Sequence, residues 1–193
     1  VPSLATVALL RHPDTPCPAL TGLDVSVAIL ADGSLSLDYR LSGRLAALSI
    51  PPAQAPAATD GLWQHTCCEA FIAHPGSPAY REFNLSPSSQ WAAYRFSDYR
   101  QREDWALPAG IAPRIDIAEQ AGELRLHAVL PAALLPEHQP DALRQPAWPP
   151  TWQLALSCVV EAADGSRSYW ALTHPPGQPD FHQRSNFTLN LSV

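Results

Sequence analysis

The sequence predicts an all-β fold, an antiparallel β-sandwich or jelly roll of about ten strands with little helix. Three observations carry this. Short runs alternate apolar and polar residues along most of the chain, the pattern of half-buried strands. Turn formers separate the runs, among them 21 Pro and 9 Gly, which break helices of ordinary length. No amphipathic helix of normal length is present. The 193 residues read as one domain, 1–193. A chain of this size buries roughly 70% of its unfolded surface and folds without a disulfide or metal.

Val7–Leu10 is expected as a short strand before the Pro-rich turn HPDTPCP. A hairpin follows. Asp24–Leu30 and Ser34–Leu41 alternate on either side of Asp32-Gly33, a pair suited to the positive φ of a tight turn. Leu45–Ile50 is expected as a further strand, ended by the prolines of PPAQAPAATDG. Three central strands come next: Thr66–Ala73, Tyr80–Leu85 and Trp91–Ser97. Ala112–Ala118 and Glu123–Leu130 form another hairpin, after a polar loop, and Pro131–Leu135 reads as one helical turn. The Pro-rich HQPDALRQPAWPP leads into the long strand Trp152–Glu161. Asp164-Gly165 turns it into Ser168–Thr173, and Asn186–Leu191 closes the chain.

The net charge is −6 and the twelve basic residues, all Arg, are scattered, which argues against a nucleic-acid surface. No apolar run is long enough to span a bilayer. The N-terminal VPSLATVALLRHPDTP has no basic leader before its short apolar run, so it does not read as an intact signal peptide. Cys17, Cys67, Cys68 and Cys158 show no CxxC spacing and read as buried free thiols. A cytoplasmic location is the expectation. The oligomeric state stays open.

Candidate chemistry concentrates in Leu62–Arg100. Period two places Glu69 beside Cys67 and Phe71, and it groups Glu82 with Tyr80 and Asn84. With one face of each strand assigned to the core, the other face is expected to carry Glu69, Glu82, Asn84 and Arg95. Carboxylates, an amide and a guanidinium on one face suit hydroxyl-rich ligands. Trp63, Trp91 and Trp170 are candidate platforms for the C–H faces of a sugar ring. A cross-strand Glu82–Arg95 ion pair with core Trps is the plainer alternative. His174, Asp180 and His182 form a second group. It reads as a metal site or, more simply, as a loop held by polar side chains. His182 and Arg184 could also form a rim to the sheet site. Glu69 and Glu82 raise a glycosidase reading as paired carboxylates. No nucleophile elbow, P-loop or GxGxxG fingerprint is present.

LWQHTCCEAFI, YREFNLSPSSQWAAYRF and SYWALTHPPGQPDFH together resemble bacterial DOMON-like domains, which are similar to family 9 carbohydrate-binding modules. The resemblance runs from about Leu23 to the end, and its specific part is the middle motif. It implies a sandwich that binds sugar or haem and is usually non-catalytic. In the sugar-binding relatives a Trp followed six residues later by a Glu contributes to the site, and Trp63 and Glu69 match that spacing. A second aromatic comes from near the C-terminus in those relatives, where this chain has Phe181 and His182. The haem-binding branch uses Met and His, and this chain has no Met. Sugar-binding relatives often carry calcium, though no Asp-rich loop here demands it.

The expectation is therefore a non-catalytic domain that takes a small molecule, a carbohydrate or polyol, on an exposed sheet face and needs no cofactor. Trp63 and Trp91 would stack, while Glu69, Glu82, Asn84 and Arg95 would hydrogen-bond. Asp180 and His182 would line the rim. A hydrolase using Glu69 and Glu82, and a protein-interaction sandwich, are the alternatives.

Overall fold

A computed structural model describes residues 4–137 and 151–192. The Pro-rich stretch 138–150 lies outside the described residues. Two antiparallel sheets pack face to face, as the alternation predicts.

The first sheet has five strands. Its centre is the expected hairpin, β3 (Leu20–Ile29) and β4 (Leu35–Gly43). Gly33 adopts φ 82° in the turn, and Asp32 Oδ1 accepts the Ser34 N–H at 2.9 Å. At the other end Gly43 has φ 150°, and a Cβ there would lie 2.2 Å from the Ala19 carbonyl oxygen. Only Gly fits this approach. β1 (Leu4–Ala8) flanks β3, while the hairpin β9 (Arg114–Gln120) and β10 (Glu123–Leu130) extends the sheet beyond β4.

The second sheet has eight strands. Its path runs β2 (Leu10–Arg11), β12 (Arg167–Ala171), β11 (Thr151–Glu161), β5 (Cys67–Ala73), β6 (Tyr80–Leu85), β7 (Trp91–Asp98) and β8 (Gln101–Glu103). β13 (Leu189–Ser192) pairs with the start of β11, Thr151–Leu154, and β12 with its end, Ser157–Glu161. The chain between β12 and β13 packs over the outer face of this sheet, where its Phe181 and Phe187 are buried.

Three sequence expectations are corrected. Val7–Leu10 is not one strand: Leu4–Ala8 lies in the first sheet and Leu10–Arg11 in the second. Leu45–Ala47 is a 3-10 turn rather than a strand, with one bridge from Leu48 to Ala162. Gln101–Glu103, read as loop, is an edge strand paired with β7.

The main core lies between the sheets. Leu35, Leu37, Tyr39 and Leu41 of β4 meet Cys68, Ala70 and Ile72 of β5 and Phe83 and Leu85 of β6. Burying each large side chain stabilises the fold by about 1.5–3 kcal/mol. Tyr39 crosses this core, and its hydroxyl donates to the Glu69 carbonyl at 2.7 Å. The four cysteines are free and buried. Cys67 and Cys68 face opposite sides of β5, and Cys68 Sγ lies 3.7 Å from Cys158 Sγ in the main core.

A second apolar cluster occupies the outer face of the eight-stranded sheet. Phe71, Tyr80, Tyr94 and Phe96 from the strands meet Phe181 and Phe187 from the covering chain. All seven residues of β5 are therefore buried, on both faces.

Candidate functional site

The outer face of the eight-stranded sheet holds a cleft of about 1100 Å³. Glu69 of β5, Glu82 of β6, Tyr94 and Phe96 of β7, Val159 of β11 and Tyr169 of β12 contribute from the strands. Three segments wall it: His12–Thr15, Asp60–Gln64, and 177–182. Arg100 and Arg102 close the β8 side.

Cross-strand register decides who meets whom. One row across the sheet reads Ser157, Glu69, Asn84, Ala92. The next reads Ala155, Phe71, Glu82, Tyr94. Glu69 and Glu82 are thus diagonal neighbours on one face, the separation at which long side chains on a sheet reach each other.

Both carboxyls are buried, Glu69 at 3% exposure and Glu82 at 5%. Asn84 Nδ2 donates to Glu82 Oε1 at 3.0 Å, and His182 Nε2 lies 3.8 Å from Glu82 Oε2. Burial pushes Glu82 up to about 7, opposed by the Asn84 hydrogen bond and by Arg100 and Arg102. Burial also raises Glu69 well above the ordinary carboxyl value, and Glu82 adds to the shift. Glu69 Oε1 has no hydrogen-bond partner among the described residues.

Residues 174–187 are held by specific bonds. Asp180 accepts from Tyr99 Oη at 2.6 Å, Arg100 at 2.9 Å and its own neighbour His182 N–H at 3.1 Å. The Tyr80 hydroxyl accepts the Arg100 N–H at 3.1 Å and lies 2.8 Å from His182 Nδ1. Burial and Arg100 hold His182 down at about 4, so it is neutral near pH 7. His12 Nδ1 accepts the Asp14 N–H at 3.2 Å, which leaves Nε2 to donate to the Gly177 carbonyl at 2.9 Å. His174 Nε2 donates to the Leu10 carbonyl at 2.7 Å, and its ring packs edge-on against His12 at 4.9 Å. His174, Asp180 and His182 thus act as loop fastenings. Among the described residues, no group of three or more His, Cys, Asp or Glu is placed to hold a metal ion.

The structure brings together Trp63, Glu69, Glu82 and His182 as cleft-lining residues. Asn84 is the cross-strand neighbour of Glu69 and is bonded to Glu82. Asp180 supports the wall through Arg100. Trp63 sits at the cleft mouth on the 3-10 turn Leu62–Gln64, 51% exposed.

Arg95 and Trp91 are corrections. Glu82 faces Tyr94, so Arg95 points to the opposite side of the sheet and pairs with Glu103 at 2.9 Å. Trp91 faces Leu85 and packs in the core between the sheets, as does Trp170. The five-residue connection Ser86–Gln90 sets this parity, and alternation within a single strand does not reveal it. The face expected to be exposed is instead covered and concave. Tyr94, Phe96, Tyr169, Arg100 and Arg102 were not singled out. Their one signal is that β5, CCEAFIA, is apolar at nearly every position, as in a strand covered on both sides.

The architecture and its cleft define a two-sheet antiparallel sandwich with a loop-walled site on one outer face. No family model matches the chain, and no curated protein matches it. Solved structures do. A Bacteroides uniformis protein, a candidate carbohydrate-binding protein, aligns over 99% of this chain and 86% of its own with a TM-score of 0.67 and 16% identity. A family 9 carbohydrate-binding module from Caldicellulosiruptor kristjanssonii, in complex with cellotriose, aligns over 96% and 82% with a TM-score of 0.53 and 9% identity. At these identities the likeness shows a shared fold. No helix among the described residues is long and apolar enough to cross a membrane.

Proposed function

We propose that this chain is a DOMON-like, non-catalytic module whose cleft binds a carbohydrate or related polyol. The observation that carries the reading is the pairing, in one cleft, of buried carboxyls Glu69 and Glu82 with the half-exposed Trp63 at its mouth. Carboxyl oxygens take hydrogen bonds from sugar hydroxyls, and an indole face suits the C–H face of a pyranose. Tyr94, Phe96 and Tyr169 extend the apolar lining. The two structural relatives, one a candidate carbohydrate-binding protein and one holding cellotriose, support the same reading.

A glycosidase needs one carboxyl kept protonated and a second kept ionised. Here both carboxyls are buried, at 3% and 5% exposure, and reading them as hydrogen-bonding groups for a bound polyol needs no such division. A protein-interaction surface would be flat and open, and this face is concave and walled.

Tryptophan fluorescence during titration with glucose, cellobiose and xylobiose tests the proposal. At least one sugar should give a saturable change, and Trp63→Ala should weaken its binding about tenfold or more. Full affinity in Trp63→Ala would remove the cleft mouth from the site.

A further inference from the structure

The cleft floor holds two buried carboxyls, Glu69 and Glu82, with no cation seated against them among the described residues. Asp14 and Asp60 add exposed carboxylates to its walls, and the arginines that line it among the described residues are Arg100 and Arg102. Both guanidiniums are engaged elsewhere. Arg100 holds Asp180 at 2.9 Å, while Arg102 lies over the Tyr94 ring at 4.2 Å with Asp60 3.8 Å away. Among the described residues, neither forms an ion pair with Glu69 or Glu82. The basic group beside Glu82 is His182, whose imidazole burial keeps neutral.

Hydrogen bonding is lopsided in the same direction. Glu69 Oε1, shielded from solvent, has no donor among the described residues. Its row neighbours on either side, Ser157 Oγ and Asn84 Oδ1, also lack partners. An ionised carboxyl oxygen and an amide oxygen only accept. The Ser157 hydroxyl can also donate, so the acceptors left without a donor here are Glu69 Oε1, which lines the cleft, and Asn84 Oδ1 beside it.

We infer that the group recognised at this floor is a primary ammonium, as on an amino sugar, seated on Glu69 and Glu82. The sugar part of this inference rests on the function proposed above. A hydroxyl brings one donor and no charge, whereas an ammonium brings three donors and a full positive charge. Its attraction to a carboxylate is larger in a site screened from water than at the surface. Seating it draws the carboxyls into their ionised form, so protons leave the site on binding. The groups facing Glu82 are Asn84, Tyr80, Tyr94, His182, Arg100 and Arg102, and the titratable groups facing Glu69 are Glu82 and the buried Cys67 thiol.

Calorimetric titration of the full chain with glucosamine, glucose and N-acetylglucosamine at pH 6 tests this, in two buffers of different ionisation enthalpy. At that pH the sugar amine is already protonated, so any proton released comes from the protein. Glucosamine should bind about tenfold tighter than either neutral sugar, the difference between a charge-assisted and a neutral hydrogen bond. Its binding should release protons, and theirs should not. In Glu69→Gln, or in Glu82→Gln should the first variant fail to fold, that ratio should fall to about threefold or less. Equal affinities, absence of proton release, or an undiminished ratio in a folded variant would overturn the inference. Spermidine separates the two readings. If spermidine binds in a Glu69-dependent way while all sugars fail, the cation stands and the sugar falls. If spermidine and sugars all fail, both fall.

Discussion

The outer faces of the two sheets are built from similar alternating strands and end in different surroundings. On the five-stranded sheet the outward residues meet water. Thr6 pairs with Ser26 at 2.9 Å, Ser36 with His127 at 3.1 Å, and Arg125 Nε donates to Asp38 Oδ1 at 2.7 Å. These are the cross-strand polar pairs of a solvated face. On the eight-stranded sheet the outward residues lie under other parts of the chain. Phe71 packs against His182 at 5.2 Å and Phe187 at 6.1 Å, ring centre to ring centre, and both partners come from the covering segment. The carboxyls of Glu69 and Glu82 are carried inside with this apolar layer. The difference teaches that a strand's second face becomes a binding site when chain from outside the sheet walls it, and that polar groups so enclosed acquire shifted chemistry.

The sharpest way to break this contrast is Phe71→Ala. If the covering segment packs as a second core, the variant should lose about 3–5 kcal/mol in denaturant unfolding. A loss below about 1 kcal/mol would make that face energetically a surface, like its counterpart on the other sheet.

The pH dependence of stability is the second test, and its sign follows from the carboxyls. Glu82 rises from its ordinary 4.5 to about 7 in the fold. Between those values the folded state holds a proton that the unfolded state has released. Stability therefore falls as pH climbs through this window, and the Glu82 contribution is gone above about 7. Glu69, also raised, acts in the same sense. His182 acts oppositely. Lowered from 6.5 to about 4, it adds stability as pH rises between those values. Glu82→Gln keeps an acceptor for Asn84 and removes the ionisation. At pH 8 it should be more stable than the parent by on the order of 2–3 kcal/mol, with little difference near pH 4. Thermal unfolding across pH 4–8 measures both, and a variant no more stable at pH 8 would place Glu82 in contact with water.

The smallest effect belongs to the open face. Arg125→Ala should shift the thermal midpoint by no more than about 2 °C, and by less at high salt. A large, salt-insensitive loss would erase the distinction between the two faces.

Much of this was legible in the residues. The hairpins about Asp32-Gly33 and Asp164-Gly165 carry their own turn chemistry, and Tyr80–Leu85 and Glu123–Leu130 form strands with the expected bounds. Glu69 and Glu82 share a face because Glu69 pairs with Asn84, two residues from Glu82 on β6. Arg95 was not placeable from the sequence, because its face depends on how β7 registers against β6 across the Ser86–Gln90 connection. Trp91 failed for the same reason. Tyr94 and Phe96 are buried on the outer face instead, in the second cluster that lines the cleft.

The sequence by itself determined the all-β class and most strand positions. Those properties rest on local turn chemistry and on period two along a single strand. Only the tertiary structure decided that the side of β5 and β6 on which the carboxyls stand is a cleft. The walls come from residues 12–15, 60–64 and 177–182, far apart in the chain, and burial of Glu69 and Glu82 is a product of all three. A carboxyl's desolvation is a property of its whole surroundings, and no pattern within one strand contains it.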